Sequence, residues 1–147
     1  MTNPPEEEWD GPQEGGFALP LSGLTIRQIR IDYAMTFLFE EQSDLRIETD
    51  CTLWGDGDSG TTVDPNTEPT RWGPLLGVVN SDLVTAGVDG NAVLSLHFAN
   101  GMRLEAQPSP RYESWTFCAS TGQMLVCLAR GEWAYFPDKV AGKQPPC

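Results

Sequence analysis

A mainly β fold, an antiparallel meander folded up as a barrel-like or sandwich structure, is predicted by three observations. Apolar residues alternate with polar ones through most of the chain. Turn residues punctuate these segments at short intervals. Asn100-Gly101 falls between two alternating runs, the strongest short-range hairpin signal, because a type I′ turn needs positive φ at both central residues. About eight or nine short strands and one short helix near 69–79 follow from this reading.

Leu24 and Ile26 share one phase of alternation while Ile29, Ile31 and Tyr33 share the other, so the first strand slips by one residue at a bulge near Arg27 and Gln28. Met35 to Glu40 is the second strand. Beyond the polar turn Glu41 to Asp44, a third places Leu45, Ile47, Cys51 and Leu53 on one face. Trp54 to Glu68, rich in Gly, Asp and Thr, reads as a loop long enough to suspect a binding role. Thr67-Glu68-Pro69 supplies a helix start with Pro at the first helical position, and Pro74 and Gly77 keep that helix short. Six further strands are expected: Leu83 to Val88, Ala92 to Ala99, Met102 to Ala106, Glu113 to Cys118, Met124 to Leu128 and Glu132 to Phe136. Residues 1–18 should form a disordered acidic tail, 20–136 a single β-rich domain, and 137–147 a flexible tail.

The 147 residues carry 9 Lys and Arg against 21 Asp and Glu, a formal net charge of −12. A negative field repels phosphates and anionic lipid and accelerates association with a basic protein, so neither nucleic acid nor membrane is an expected partner. The amino terminus has no basic segment leading an apolar one, which gives a cytoplasmic expectation. Four cysteines, Cys51, Cys118, Cys127 and Cys147, form no C-x-x-C pair. A Gly122-Gln123 loop would set Cys118 opposite Cys127 and allow a disulfide, whereas a loop at Thr121-Gly122 would not.

Asp56-Gly-Asp58-Ser-Gly60 has the alternating carboxylates of a calcium loop, but Gly60 stands at the third ligand position and Thr67 at the twelfth. No metal or other cofactor is expected. His97, the single histidine, lies on the polar phase of its strand with no nucleophile motif in company. An enzyme depending on it is the least favoured reading. Tyr112-Glu113-Ser114-Trp115, introduced by Pro108 and Pro110, is either a corner that staples a loop to the core or an exposed aromatic and acidic patch. The sequence thus suggests a non-enzymatic interaction module with contacts at Asp56, Asp58, Asp64, Glu68, Tyr112, Glu113 and Trp115, and Trp54 or Trp72 as further anchors. The alternative is a β-barrel holding a small ligand among Phe37, Phe39, Phe98, Trp115 and Phe117.

The order of features from Ile26-x-x-Ile29-x-Ile31-Asp32-Tyr33, through Leu45-Arg-Ile-Glu48, Pro74-Leu-Leu-Gly77 and Leu96-x-Phe98-x-Asn-Gly101, to Pro110-x-Tyr-Glu-x-Trp115 and Gly122, resembles a family of small uncharacterised proteins common in actinobacteria. The likeness covers about residues 20–136. It implies a compact β-rich domain without an assigned activity, so it transfers no catalytic residue. Small acidic stand-alone bacterial domains of this sort also resemble immunity proteins that neutralise toxins.

Overall fold

The computed structural model describes residues 9–55, 60–64 and 69–137, the side chains of 69–72 excepted. Within them, twelve strands form two six-stranded antiparallel sheets that bury one core between them. In sequence order the strands are β1 (Gly16–Ala18), β2 (Ile26–Ile31), β3 (Met35–Phe39), β4 (Asp44–Ile47), β5 (Cys51–Trp54) and β6 (Gly60–Val63). There follow β7 (Leu83–Asp89), β8 (Leu94–Phe98), β9 (Arg103–Ala106), β10 (Trp115–Cys118), β11 (Met124–Cys127) and β12 (Trp133–Phe136). The first sheet runs β1-β7-β8-β9-β5-β6 and the second β12-β11-β10-β4-β3-β2.

Twelve strands replace the eight or nine expected, for three reasons. The run Leu45 to Leu53 is not one strand: β4 pairs with β3 and β10 in the second sheet, while β5 pairs with β9 and β6 in the first. Leu45, Ile47, Cys51 and Leu53 keep one phase across the break because both sheets turn their inner faces to the same core, where all four are buried. β6 emerges from the expected long loop and pairs with β5. β1 emerges from the expected tail and pairs with β7.

Residues 9–18 are therefore part of the domain. Trp9 stacks edge-on against Phe117 and Tyr135 at 5.3 and 5.6 Å, and its carbonyl accepts a hydrogen bond from Gln123 Nε2 at 2.6 Å. Phe17 meets Trp133 at 5.4 Å. An N-terminal segment with two aromatics had apolar surface to bury, and its acidic residues masked that signal. At another corner the sheets are joined through backbone bonds, Leu83 N–H to the Leu24 carbonyl (2.9 Å) and Ile26 N–H to the Ser81 carbonyl (3.1 Å).

The bulge in β2 lies where the register shifts, between Ile26 and Gln28. The expected helix is a 3₁₀ segment, Pro69–Val78, with Pro74 inside it. A proline there removes an amide donor, which agrees with tight, irregular turns in place of an α-helix. The Asn100-Gly101 turn differs from the expected two-residue type. Phe98 pairs with Met102 through Phe98 N–H to the Met102 carbonyl, and Gly101 N–H bonds the Phe98 carbonyl at 3.0 Å. Three residues therefore form the loop, and of the Asn-Gly pair only Gly101 (φ +90°) has positive φ. The β10–β11 loop repeats this geometry at Gly122, φ +99°.

That register decides the cysteines. Cys127 lies opposite Trp115 and Cys118 opposite Met124, so Cys118 and Cys127 are on opposite faces of the sheet and do not bond to each other. Cys51 and Cys127 are free and buried. Burial in apolar surroundings pushes the Cys51 thiol up to about 12, with the Asp50 and Asp64 charges adding to it, and pushes Cys127 up to about 11. Both are inert core thiols.

Candidate functional site

The outer face of the first sheet presents two rows of side chains fixed by register. One row runs Thr85, His97, Arg103, Trp54 to Gly60; the next runs Ser95, Glu105, Thr52 to Thr62. Because alternate residues point outward, these polar side chains and one indole share a surface beneath which Leu53, Leu96 and Leu104 fill the core.

Trp54 is held in place from two sides. The Arg103 guanidinium lies 4.2 Å from its ring centroid. On the neighbouring strand, a Cβ on Gly60 would come within 2.8 Å of the indole Nε1 and 2.7 Å of Thr52 Cγ2, so glycine is what lets the indole lie across β6. Arg103 Nε also approaches Glu105 Oε2 at 3.8 Å, an ion pair beyond hydrogen-bonding reach.

At the end of this face, Thr49, Asp50, Thr52, Trp54, Glu105 and Tyr112 line an open groove of about 450 Å³. Asp50 leads into β5 and Asp64 follows β6, and because Cys51 pairs with Val63 the two carboxylates stand beside each other at the end of the sheet. Desolvation, and then the neighbouring Asp64 charge, hold the Asp50 carboxyl above its usual pKa.

The opposite wall of the groove is the corner before β10. Buried Ser109 and Ser114 organise it: Ser114 Oγ accepts from Ser109 N–H, Ser109 Oγ accepts from Arg111 N–H at 3.1 Å, and the Ser109 carbonyl accepts from Arg130 N–H at 2.8 Å. These bonds fix the backbone that carries Tyr112, a residue 55% exposed. The two serines carried no recognisable sequence signal, since short polar residues between prolines read as loop.

The structure sorts the expected contacts unevenly. Asp64 and Tyr112 are at or beside this groove. Glu113 is exposed but lines a different groove, on the outer face of the second sheet. Trp115 is wholly buried, 5.5 Å from Trp133, so it belongs to the core and is no surface anchor. Asp56, Asp58, Glu68 and the side chain of Trp72 lie outside the described residues. Asp50, Thr52 and Glu105 were missed, although the alternation of β5 and β9 marks Thr52 and Glu105 as outward.

His97 is exposed on the same sheet face, between Thr85 and Arg103. Among the described residues, no three His, Cys, Asp or Glu side chains are grouped to hold a metal ion, and no helix is long and apolar enough to cross a membrane. The aromatics named for a ligand cavity, Phe37, Phe39, Phe98, Trp115 and Phe117, are all buried in the core shared by the two sheets.

No curated protein and no solved structure matches the chain. Strands β2 to β12, the hairpin at Gly101 and the Tyr112 corner all fall within residues 17–137, the stretch that matches DUF6188, and the chain belongs to that family of unknown function.

Proposed function

We propose that this chain is a non-enzymatic interaction module, immunity-like or regulatory in kind, that docks a basic segment of another protein against the groove between Asp50, Asp64, Trp54 and Tyr112. The Asp50–Asp64 pair carries the reading. Two carboxyl groups sharing one site oppose each other's ionisation. A lysine or arginine placed beside them turns that repulsion into attraction, while Tyr112 offers the kind of aromatic surface that supports slow dissociation. The excess of 21 acidic over 9 basic residues supplies the long-range attraction for the encounter.

Affinity capture on the full chain, compared with the Asp50→Asn/Asp64→Asn and Tyr112→Ala variants, tests the proposal. A basic protein should be retained by the native chain, lost from the double variant, and released as salt is raised through the range where the screening length falls below about 8 Å. Equal retention by all three chains, or retention that ignores salt, would refute it.

A further inference from the structure

His97, the single histidine of the chain, shares a sheet face with the docking groove. Imidazole is the side chain that ordinarily changes charge between roughly pH 5 and 8. His97 is exposed, and register sets its neighbours. On β9, Arg103 stands directly opposite, and Glu105, two residues further along the same face, is the diagonal neighbour. On β7, Thr85 stands opposite. The carboxylates at the two ends of β7 are engaged elsewhere: Asp82 Oδ1 accepts from Thr25 Oγ1 at 2.6 Å, and Asp89 Oδ1 accepts from the N–H groups of Asn91 and Val93 at 2.8 and 3.0 Å. Glu105 is thus the carboxylate that faces His97, and it also lines the groove.

We propose that His97 is a proton gate on the docking face, a role that stands only if the groove binds a basic segment as argued above. Forming the imidazolium weakens the hold on that segment, so the partner is kept near neutral pH and released in mildly acidic surroundings. Two effects act in the same direction. An imidazolium diagonal to Glu105 competes for that carboxylate, which then has less attraction to spare for a lysine or arginine of the partner. Glu105 is open to such competition: Arg103 Nε lies 3.8 Å away, beyond hydrogen-bonding reach, and finds no acceptor among the described residues. The new charge also stands beside the Arg103 guanidinium, itself 4.2 Å from the Trp54 ring centroid, so two cations adjoin the indole that walls the groove. Trp54 is two strand spacings from His97, about 10 Å, and over that distance in water a unit charge changes the affinity for one partner cation about twofold.

The groove carboxylates also lose charge as pH falls further, and they do so with or without an imidazole nearby. The gate is therefore read as the difference between the native chain and a chain that lacks His97.

The probe is an end-capped peptide of lysine and arginine alone, whose own charge is constant over this range. It is titrated into the full chain at about 10 mM salt, where the screening length is about 30 Å. Between about pH 7.5 and about pH 5.5 the native chain should lose roughly three- to fivefold in affinity, and His97→Gln should lose markedly less. His97→Lys, charged throughout, should bind at the higher pH as weakly as the native chain does at the lower. His97 is exposed, so neither substitution opens the core. Equal losses in the native and His97→Gln chains, or a His97→Lys chain that matches the native one at the higher pH, overturns the gate and leaves the docking site standing. A peptide that binds none of the three chains at either pH overturns both.

Discussion

At the scale of single residues, what separates a surface contact from a core residue is phase along the strand, and chemistry alone does not reveal it. Tyr112 and Trp115 look equivalent in sequence, yet the serine-pinned corner turns Tyr112 outward and delivers Trp115 to the inner face of β10. Asp50 is the residue whose surroundings have the most to say. Its carboxyl ionises less readily in the folded chain than in the unfolded one, so ionisation opposes folding, and the opposition disappears as pH falls below the ordinary value of 3.8. Asp50→Asn is thus expected to melt at a higher temperature than the native chain at pH 7, with the difference shrinking as the melts are repeated toward pH 4. A constant difference across that range would contradict the raised pKa of Asp50, of which desolvation is the larger cause and the Asp64 charge the next.

At the scale of elements, strands were legible wherever alternation continued, and that same continuity hid the passage from β4 to β5. A run that keeps one face to a core looks identical whether it stays in one sheet or crosses to its neighbour. β6 escaped notice because Gly60-Thr61-Thr62 offers nothing apolar until Val63, and its place is set by the indole of Trp54. The β8–β9 hairpin shows how turn chemistry ties elements together. Asn100 Nδ2 donates to the Gly77 carbonyl at 2.9 Å and Asn100 Oδ1 accepts from Met102 N–H at 3.0 Å, clipping the hairpin to the 3₁₀ segment. Replacing Gly101 by Ala places a Cβ at φ +90° and should cost about 1–2 kcal/mol in denaturant melts. Asn100→Ala should cost about 1 kcal/mol and should speed amide exchange at Val79 and Ser81, whose N–H groups bond the carbonyls of Leu76 and Val78. Unaltered exchange there would show that the clip does not restrain the segment.

At the scale of the whole molecule, two sheets closed over one core leave two outer faces with different characters. The first carries the Asp50–Asp64 pair, Glu105 and Trp54; the second carries an apolar strip beneath a charged rim. Composition foretold the acidity but not its division, because register across strands distant in sequence decides which carboxylates meet. The most direct test is to map the binding surface on the ¹⁵N-labelled chain with a lysine- and arginine-rich peptide at low salt. Shifts should gather at Asp50, Trp54, Thr62, Asp64, Glu105 and Tyr112, and fade in the Asp50→Asn/Asp64→Asn chain. Shifts centred on Glu113 and Val126, or spread evenly over the acidic surface, would place the interaction elsewhere and contradict the proposed docking face.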